Sequence, residues 1–121
     1  MAKYIYYNVN PRGERTEDCV TRSISLASGR PYHEIQYKLQ LVADLLDCEK
    51  LCVTCYKHLI EDVFCFRRVN CDDMTVGEFA DLNPEGVYLI RMNGHISTVI
   101  DGCIIDIWDC RWEEPTDAWE C

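Results

Sequence analysis

Three side chains in this sequence have the types and spacing for nucleophilic chemistry: Cys19, His95 and Asp106. Cys19 sits in Thr16-Glu17-Asp18-Cys19-Val20, where an acidic, turn-prone loop gives way to an apolar helical pattern. A thiol attacks only as its thiolate. A helix N-terminus and a neighbouring imidazolium both favour that form and can lower the thiol pKa by several units. His95 follows Gly94, and Asp106 lies on the next β-rich run. The histidine would take the thiol proton, and the carboxylate would hold the imidazole in the accepting tautomer. The backbone N–H of Cys19, in the first turn of its helix, is one candidate arm of an oxyanion hole.

Positioning these groups requires a helix and a hairpin. Val87 to Met92, His95 to Ile100 and Cys103 to Trp108 are β-rich runs separated by Asn93-Gly94 and Asp101-Gly102. Both dipeptides are strong hairpin signals, so an antiparallel meander is expected. A two-residue turn at Asp101-Gly102 pairs Ile100 with Cys103, Val99 with Ile104, Ser97 with Asp106 and His95 with Trp108. Side chains alternate faces along a strand, so His95, Ser97 and Val99 share a face with Ile104, Asp106 and Trp108. Asp106 is then a diagonal neighbour of His95, across roughly 7 Å of backbone. Asp109 has the opposite parity, and Asp101 lies in the turn, a strand's length away. Trp108 reads as a core residue or a cover beside His95.

The rest of the chain supplies the frame. Lys3 to Asn8 reads as a strand, and Asn10-Pro11-Arg12-Gly13 as a turn. A helix is expected from near Asp18, with Val20, Ile24 and Ala27 at helical spacing and Gly29 as its stop. Pro31 opens a second helix whose stripe is Ile35, Leu39, Val42 and Leu46. Residues 49–68 read as a helix followed by an irregular or short extended segment. Thr75-Val76-Gly77-Glu78 has the pattern of a capping box for a short helix. The tail 109–121 is expected to wrap the surface. The whole chain, 1–121, is expected to be a single α+β domain.

Asp18-Cys19-Val20-Thr21-Arg22-Ser23-Ile24, the block from Gly94-His95 to Gly102, and Ile105-Asp106-Ile107-Trp108-Asp109 together resemble small papain-like cysteine peptidases of bacterial or bacteriophage type. In layout these are similar to the bacteriocin-processing peptidases. The likeness runs from about Asn8 to Cys110. It implies a papain-like fold, with an N-terminal nucleophile helix packed on an antiparallel meander, and a triad of Cys19, His95 and Asp106. It also implies a thiol hydrolase that cleaves peptide or isopeptide bonds through a thioester, with a protein or peptide substrate and no cofactor. Deamidases and acyltransferases share that intermediate. The oxyanion-hole Gln usual in that superfamily, about six residues before the cysteine, is replaced here by Gly13. Asn10 is the favoured amide in its place, and Asn8 the other.

Composition limits the alternatives. The chain has 121 residues and a formal net charge of −9, which argues against nucleic acid as a partner. No apolar run approaches the ~18–20 residues of a membrane span. The N-terminus lacks the pattern of a secretory signal, so a cytoplasmic protein is expected, in the bacterial host cytoplasm if phage-encoded. Nine cysteines in a reducing compartment are mostly small buried apolar residues. Cys48, Cys52, Cys55 and His58 form a competing pattern with zinc-like spacing, although four ligands on one straight helix cannot surround an ion. A catalytically idle binding protein on the same fold, such as an inhibitor of a host factor, and a zinc-stabilised interaction module are the non-enzyme readings. Arg22 reads as a solvated arginine, with contact to a substrate carboxylate as its other use. His33 reads as a surface residue.

Overall fold

The computed structural model describes residues 2–121. It is an α+β domain with four α-helices and a six-stranded mixed sheet. The strands are β1 Lys3–Tyr6, β2 Arg67–Val69, β3 Val87–Met92, β4 His95–Ile100, β5 Cys103–Asp106 and β6 Pro115–Glu120. The helices are α1 Cys19–Ser28, α2 Tyr32–Leu46, α3 Val53–His58 and α4 Val76–Leu82, with a π-helical turn at Leu59–Val63 after α3. The sheet order is β1-β5-β4-β3-β6-β2.

The β3-β4-β5 meander forms as the hairpin signals require. Met92 pairs with His95 and Ile100 with Cys103, each across two residues. Asp101 and Gly102 both take positive φ, 49° and 75°, which is the demand of a type I′ turn. At the other turn Gly94 (φ 75°) is left-handed and Asn93 is not. The β4–β5 ladder runs through Val99–Ile104 to Thr98–Ile105 and stops there. Asp106 is the last residue of β5, so Ile107 and Trp108 leave the strand that the sequence pattern extended to Trp108.

Each face of the sheet carries its own core. On one face Val20 and Ile24 of α1, Ile35 and Leu39 of α2, Tyr56 of α3 and Leu59 pack on Leu89, Ile96 and Trp119. On the other, Val76, Phe79 and Ala80 of α4 pack on Tyr88, Ile90, Met92, Val99, Ile104 and Ala118. Helix α1 is bolted to β4 by two hydrogen bonds: Ser23 Oγ donates to the Ile96 carbonyl (2.9 Å), and Thr98 Oγ1 donates to the Ser23 carbonyl (3.0 Å). Gly29 (φ 70°) ends α1 with its N–H on the Ser25 carbonyl. Thr75 and Glu78 form the expected capping box on α4.

Three expectations are corrected. The tail does not wrap the surface as a whole: residues 115–120 form β6, inserted between β3 and β2, with Ala118 and Trp119 at 0% exposure. Pro115 is tolerated because it is the first residue of the strand, where its missing N–H matters least. Strand β1 lies parallel to β5, Tyr4 beside Ile104 and Tyr6 beside Asp106. The sheet is therefore mixed rather than a pure antiparallel meander. In α2 the buried stripe is Ile35, Leu39, Val42 and Ala43, and Leu46 is exposed. Asp47, in the left-handed region, closes the helix there.

Candidate active site

The first turn of α1, the start of β4 and the end of β5 converge at one point. Cys19 is the first residue of α1. His95 opens β4, and its Nε2 lies 2.6 Å from Oδ2 of Asp106. Cys19 and His95 line the same two hollows, and the imidazole favours the ionised form of the thiol. Since Nε2 serves Asp106, Nδ1 is the ring nitrogen left for the thiol. The structure thus brings all three predicted residues into one line. Asp101 and Asp109 stay out of it: Asp101 binds the Gly86 N–H at the far end of the hairpin, and Asp109 binds Arg111.

Each group is tuned by its neighbours. Burial pushes the Cys19 thiol up, but the His95 hydrogen bond, the Ile96 backbone amide and the charges of His95 and Arg22 outweigh it. The net result lies below the ordinary 9.0. Burial alone would lower His95, yet its bonds to Asp106 and Cys19 raise it from 6.5 to about 9. Asp106 is also pushed up by burial and brought below 3.8 by His95 and Arg22. These directions describe a thiolate–imidazolium pair backed by a carboxylate. Burial raises the thiols of Cys48, Cys55, Cys71, Cys110 and Cys121 instead, with Cys55, Cys110 and Cys121 reaching about 12. All nine cysteines are free.

Arg22 is not the solvated arginine that its sequence position implied. It is 4% exposed, with Nε 2.7 Å from Asp18 Oδ1 and Nη1 2.8 Å from Asp106 Oδ1. Asp18 is the hub behind it. Its other oxygen accepts from the Asn10 side-chain amide (3.0 Å) and the Tyr32 hydroxyl (2.7 Å). Asp18 therefore makes no side-chain cap on α1. The first N–H groups of α1, including that of Cys19, lie outside the helix ladder, in which the Arg22 N–H bonds the Asp18 carbonyl. They are donors available to a substrate oxygen.

Asn10, favoured from the sequence as the second oxyanion donor, is placed elsewhere. Its amide is held by Asp18, and it lines a separate groove with Arg12, Tyr32, His33 and Gln36. The carboxylate of Asp18 is the stronger attractor for that amide, because a charged acceptor roughly doubles a hydrogen bond's strength.

Two hollows meet over Cys19 and His95. The larger, about 640 Å³, is bounded by Arg15, Glu17, Leu51, Ile107 and Trp108. The smaller, about 170 Å³, is walled by Val53, Tyr56, Arg91 and Ile96. Trp108 is 43% exposed and stands edge-on to the His95 ring at 4.9 Å, so it flanks the imidazole and is not a core residue. Leu51, Val53, Tyr56 and Arg91 were invisible as site residues, because tertiary packing alone brings the start of α3 beside α1.

The zinc pattern does not assemble. Cys48, Cys52, Cys55 and His58 do not gather their ligand atoms within 4.8 Å of one another. Cys52 Sγ instead accepts from the Cys55 N–H as the cap of α3, and the Cys55 thiol donates to the Leu39 carbonyl. His58 pairs with Asp62 at 3.0 Å. Among the described residues, His95, Asp106 and Cys110 do come within 4.8 Å. They suit a cation poorly, because Arg22 already neutralises Asp106 and burial keeps Cys110 protonated. Among the described residues, no helix is long and apolar enough to cross a membrane. No protein-family model, curated protein or solved structure matches this chain, so its chemistry is read from the site itself.

Proposed function

We propose that this chain is a thiol hydrolase of papain-like type that cleaves peptide or isopeptide bonds through Cys19. The observation that carries the reading is the line of Cys19, His95 and Asp106, with its 2.6 Å bond between His95 Nε2 and Asp106 Oδ2. In the proposed reaction the Cys19 thiolate attacks the carbonyl carbon, and the Cys19 N–H receives the developing oxyanion. The His95 imidazolium protonates the leaving amine, and a thioester forms on Sγ. Neutral His95 then takes a proton from water, whose oxygen displaces the thiol. Asp106 holds the ring throughout. The larger hollow, about 640 Å³ beside Cys19 and His95, is where the protein or peptide segment would lie. Nine free thiols support a reducing compartment such as the cytoplasm.

The test is alkylation of the native protein with iodoacetamide across pH, read for each thiol by mass spectrometry. Cys19 should react first and well below pH 8, and His95→Ala should remove that selectivity. Slow, uniform labelling of all nine thiols would sink the reading. The second reading, a binding protein on the same fold with an idle triad, is favoured by one observation: the Asn10 amide is tied to Asp18 and the Asn8 amide to the Glu14 carbonyl, so neither amide expected at the oxyanion is directed to it. A reactive Cys19 that forms no thioester with activated peptide esters would select it.

A further inference from the structure

We propose that Arg22 is a positioning residue of this site, a brace that holds Asp106 so that its Oδ2 faces His95. The proposal rests on the thiol-hydrolase reading. Oδ1 of Asp106 accepts from Arg22 at 2.8 Å and from the Ile107 N–H at 2.7 Å, Oδ2 faces His95 at 2.6 Å, and the Asp106 side chain is 1% exposed, so among the described residues Arg22 is the one cation on the Oδ1 side. A carboxylate so buried needs a countercharge to stay ionised, and a bonded oxygen on one side fixes where the other points. Arg22 is itself fixed, because its Nε is locked to Asp18, which Asn10 and Tyr32 clamp from behind.

The brace also links the right elements. Arg22 lies one turn after Cys19 on α1, and Asp106 closes β5. A single guanidinium therefore ties the helix carrying the thiol to the strand carrying the orienting carboxylate. From Asp18 through Arg22, Asp106 and His95 to Cys19, neighbouring groups alternate in sign. A fork that spans two carboxylates in fixed geometry is a property of arginine and not of lysine. Stability alone is a weak explanation, since buried ion triads can be replaced by apolar side chains without loss of stability. The other polar groups facing the pair are Tyr56 and Arg91 across the smaller hollow, Arg15 and Glu17 on the larger one, and Cys110, Ser97, Tyr4 and the Ile107 N–H beside Asp106.

The experiment compares wild type with Arg22→Lys and with the pair Arg22→Met/Asp18→Asn. Arg22→Lys keeps the charge and removes the fork, so its changes report position; the pair Arg22→Met/Asp18→Asn keeps the local net charge but also removes the cation bonded to Asp106, so it reports fork and countercharge together. The iodoacetamide rate of Cys19 is followed against pH, and the His95 ring is titrated by NMR, with folding checked by circular dichroism. In both variants the Cys19 rate at pH 6.5 should fall at least about tenfold, the equivalent of a one-unit rise in its pKa. The His95 midpoint should move down toward 6.5. A merely structural Arg22 would lower the melting temperature and leave both profiles unchanged, and that result overturns the proposal. If Arg22→Lys fails to fold, the charge-balanced pair decides; loss of fold in both assigns Arg22 to stability and also overturns it. A wild-type Cys19 no faster than the other thiols sinks the thiol-hydrolase reading and the brace with it. A selective wild-type Cys19 unchanged by either variant sinks the brace alone.

Discussion

Proton affinity separates Cys19 from the buried cysteines Cys55 and Cys110. It is lowered, while burial raises the thiols of Cys55 and Cys110 to about 12. With His95 raised to about 9 by Asp106 and the thiol lowered beside it, both shifts favour the thiolate–imidazolium form of the pair. If the chain is the proposed thiol hydrolase, turnover should fall on the acid side as Cys19 takes a proton, and on the alkaline side as His95 loses one near pH 9. Asp106 is the first group that raises His95, so Asp106→Asn should bring the His95 midpoint down from about 9 toward 6.5 in an NMR titration. The sign for stability follows. A raised histidine contributes stability that is fully present below its unfolded value and lost as pH rises through the folded one. The His95–Asp106 contribution is thus present below about pH 6.5 and lost through about pH 9. Cys19 and His95 were legible from residue type and register parity. Arg22 was not, though its i,i+4 spacing from Asp18 was a signal available for it.

At the scale of elements, local rules and tertiary demands divide the work. The α4 capping box is local: Thr75 Oγ1 accepts from the Glu78 N–H, and the Glu78 side chain accepts from the Thr75 N–H. Thr75→Ala should cost about 1 kcal/mol in urea denaturation and leave Cys19 reactivity unchanged, because α4 packs on the sheet face away from α1. Helix α1 is the opposite case. Asp18 has a residue type suited to an N-cap, yet its carboxylate serves Arg22, Asn10 and Tyr32 and caps nothing. The helix start gives up a cap and keeps its N–H groups free beside the thiol. The hairpin at Asp101-Gly102 obeyed its dipeptide, and with it the parity that sets Asp106 on the His95 side. The end of β5 did not follow from pattern, because Ile107 and Trp108 are as β-prone as the residues before them and only the site's geometry turns them away.

For the whole molecule, the decisive element is the last strand. Trp119 is fully buried between β3 and β2, and its Nε1 donates to Glu61 (2.8 Å) in the π-helical turn after α3. It therefore ties the chain's end to the helices that wall the smaller hollow. Trp119→Ala should cost about 3–5 kcal/mol, a large part of the roughly 5–15 kcal/mol that holds a domain folded. A surface-wrapping tail would lose far less, so the urea midpoint separates the two. The sequence pattern missed this strand because Pro115 and the acidic residues around it read as a loop. What overrides them is the row of unpaired backbone groups on β3 and β2, which need a strand between them.

The sequence by itself determined the local pieces: the turns, the helix starts, the capping box, the thiol at the head of a helix and the parity that pairs His95 with Asp106. These depend on backbone preferences and alternation over a few residues, and a few residues carry them. Only the tertiary structure decided the place of β1 and β6 in the sheet, the burial of Arg22 between two carboxylates, the diversion of the Asn10 amide to Asp18, and the use of Cys52 and Cys55 in capping and packing rather than as a ligand set. Those depend on groups brought together from distant parts of the chain. There, competition among buried charges and unpaired backbone groups, and not residue type, settles which partner each one takes.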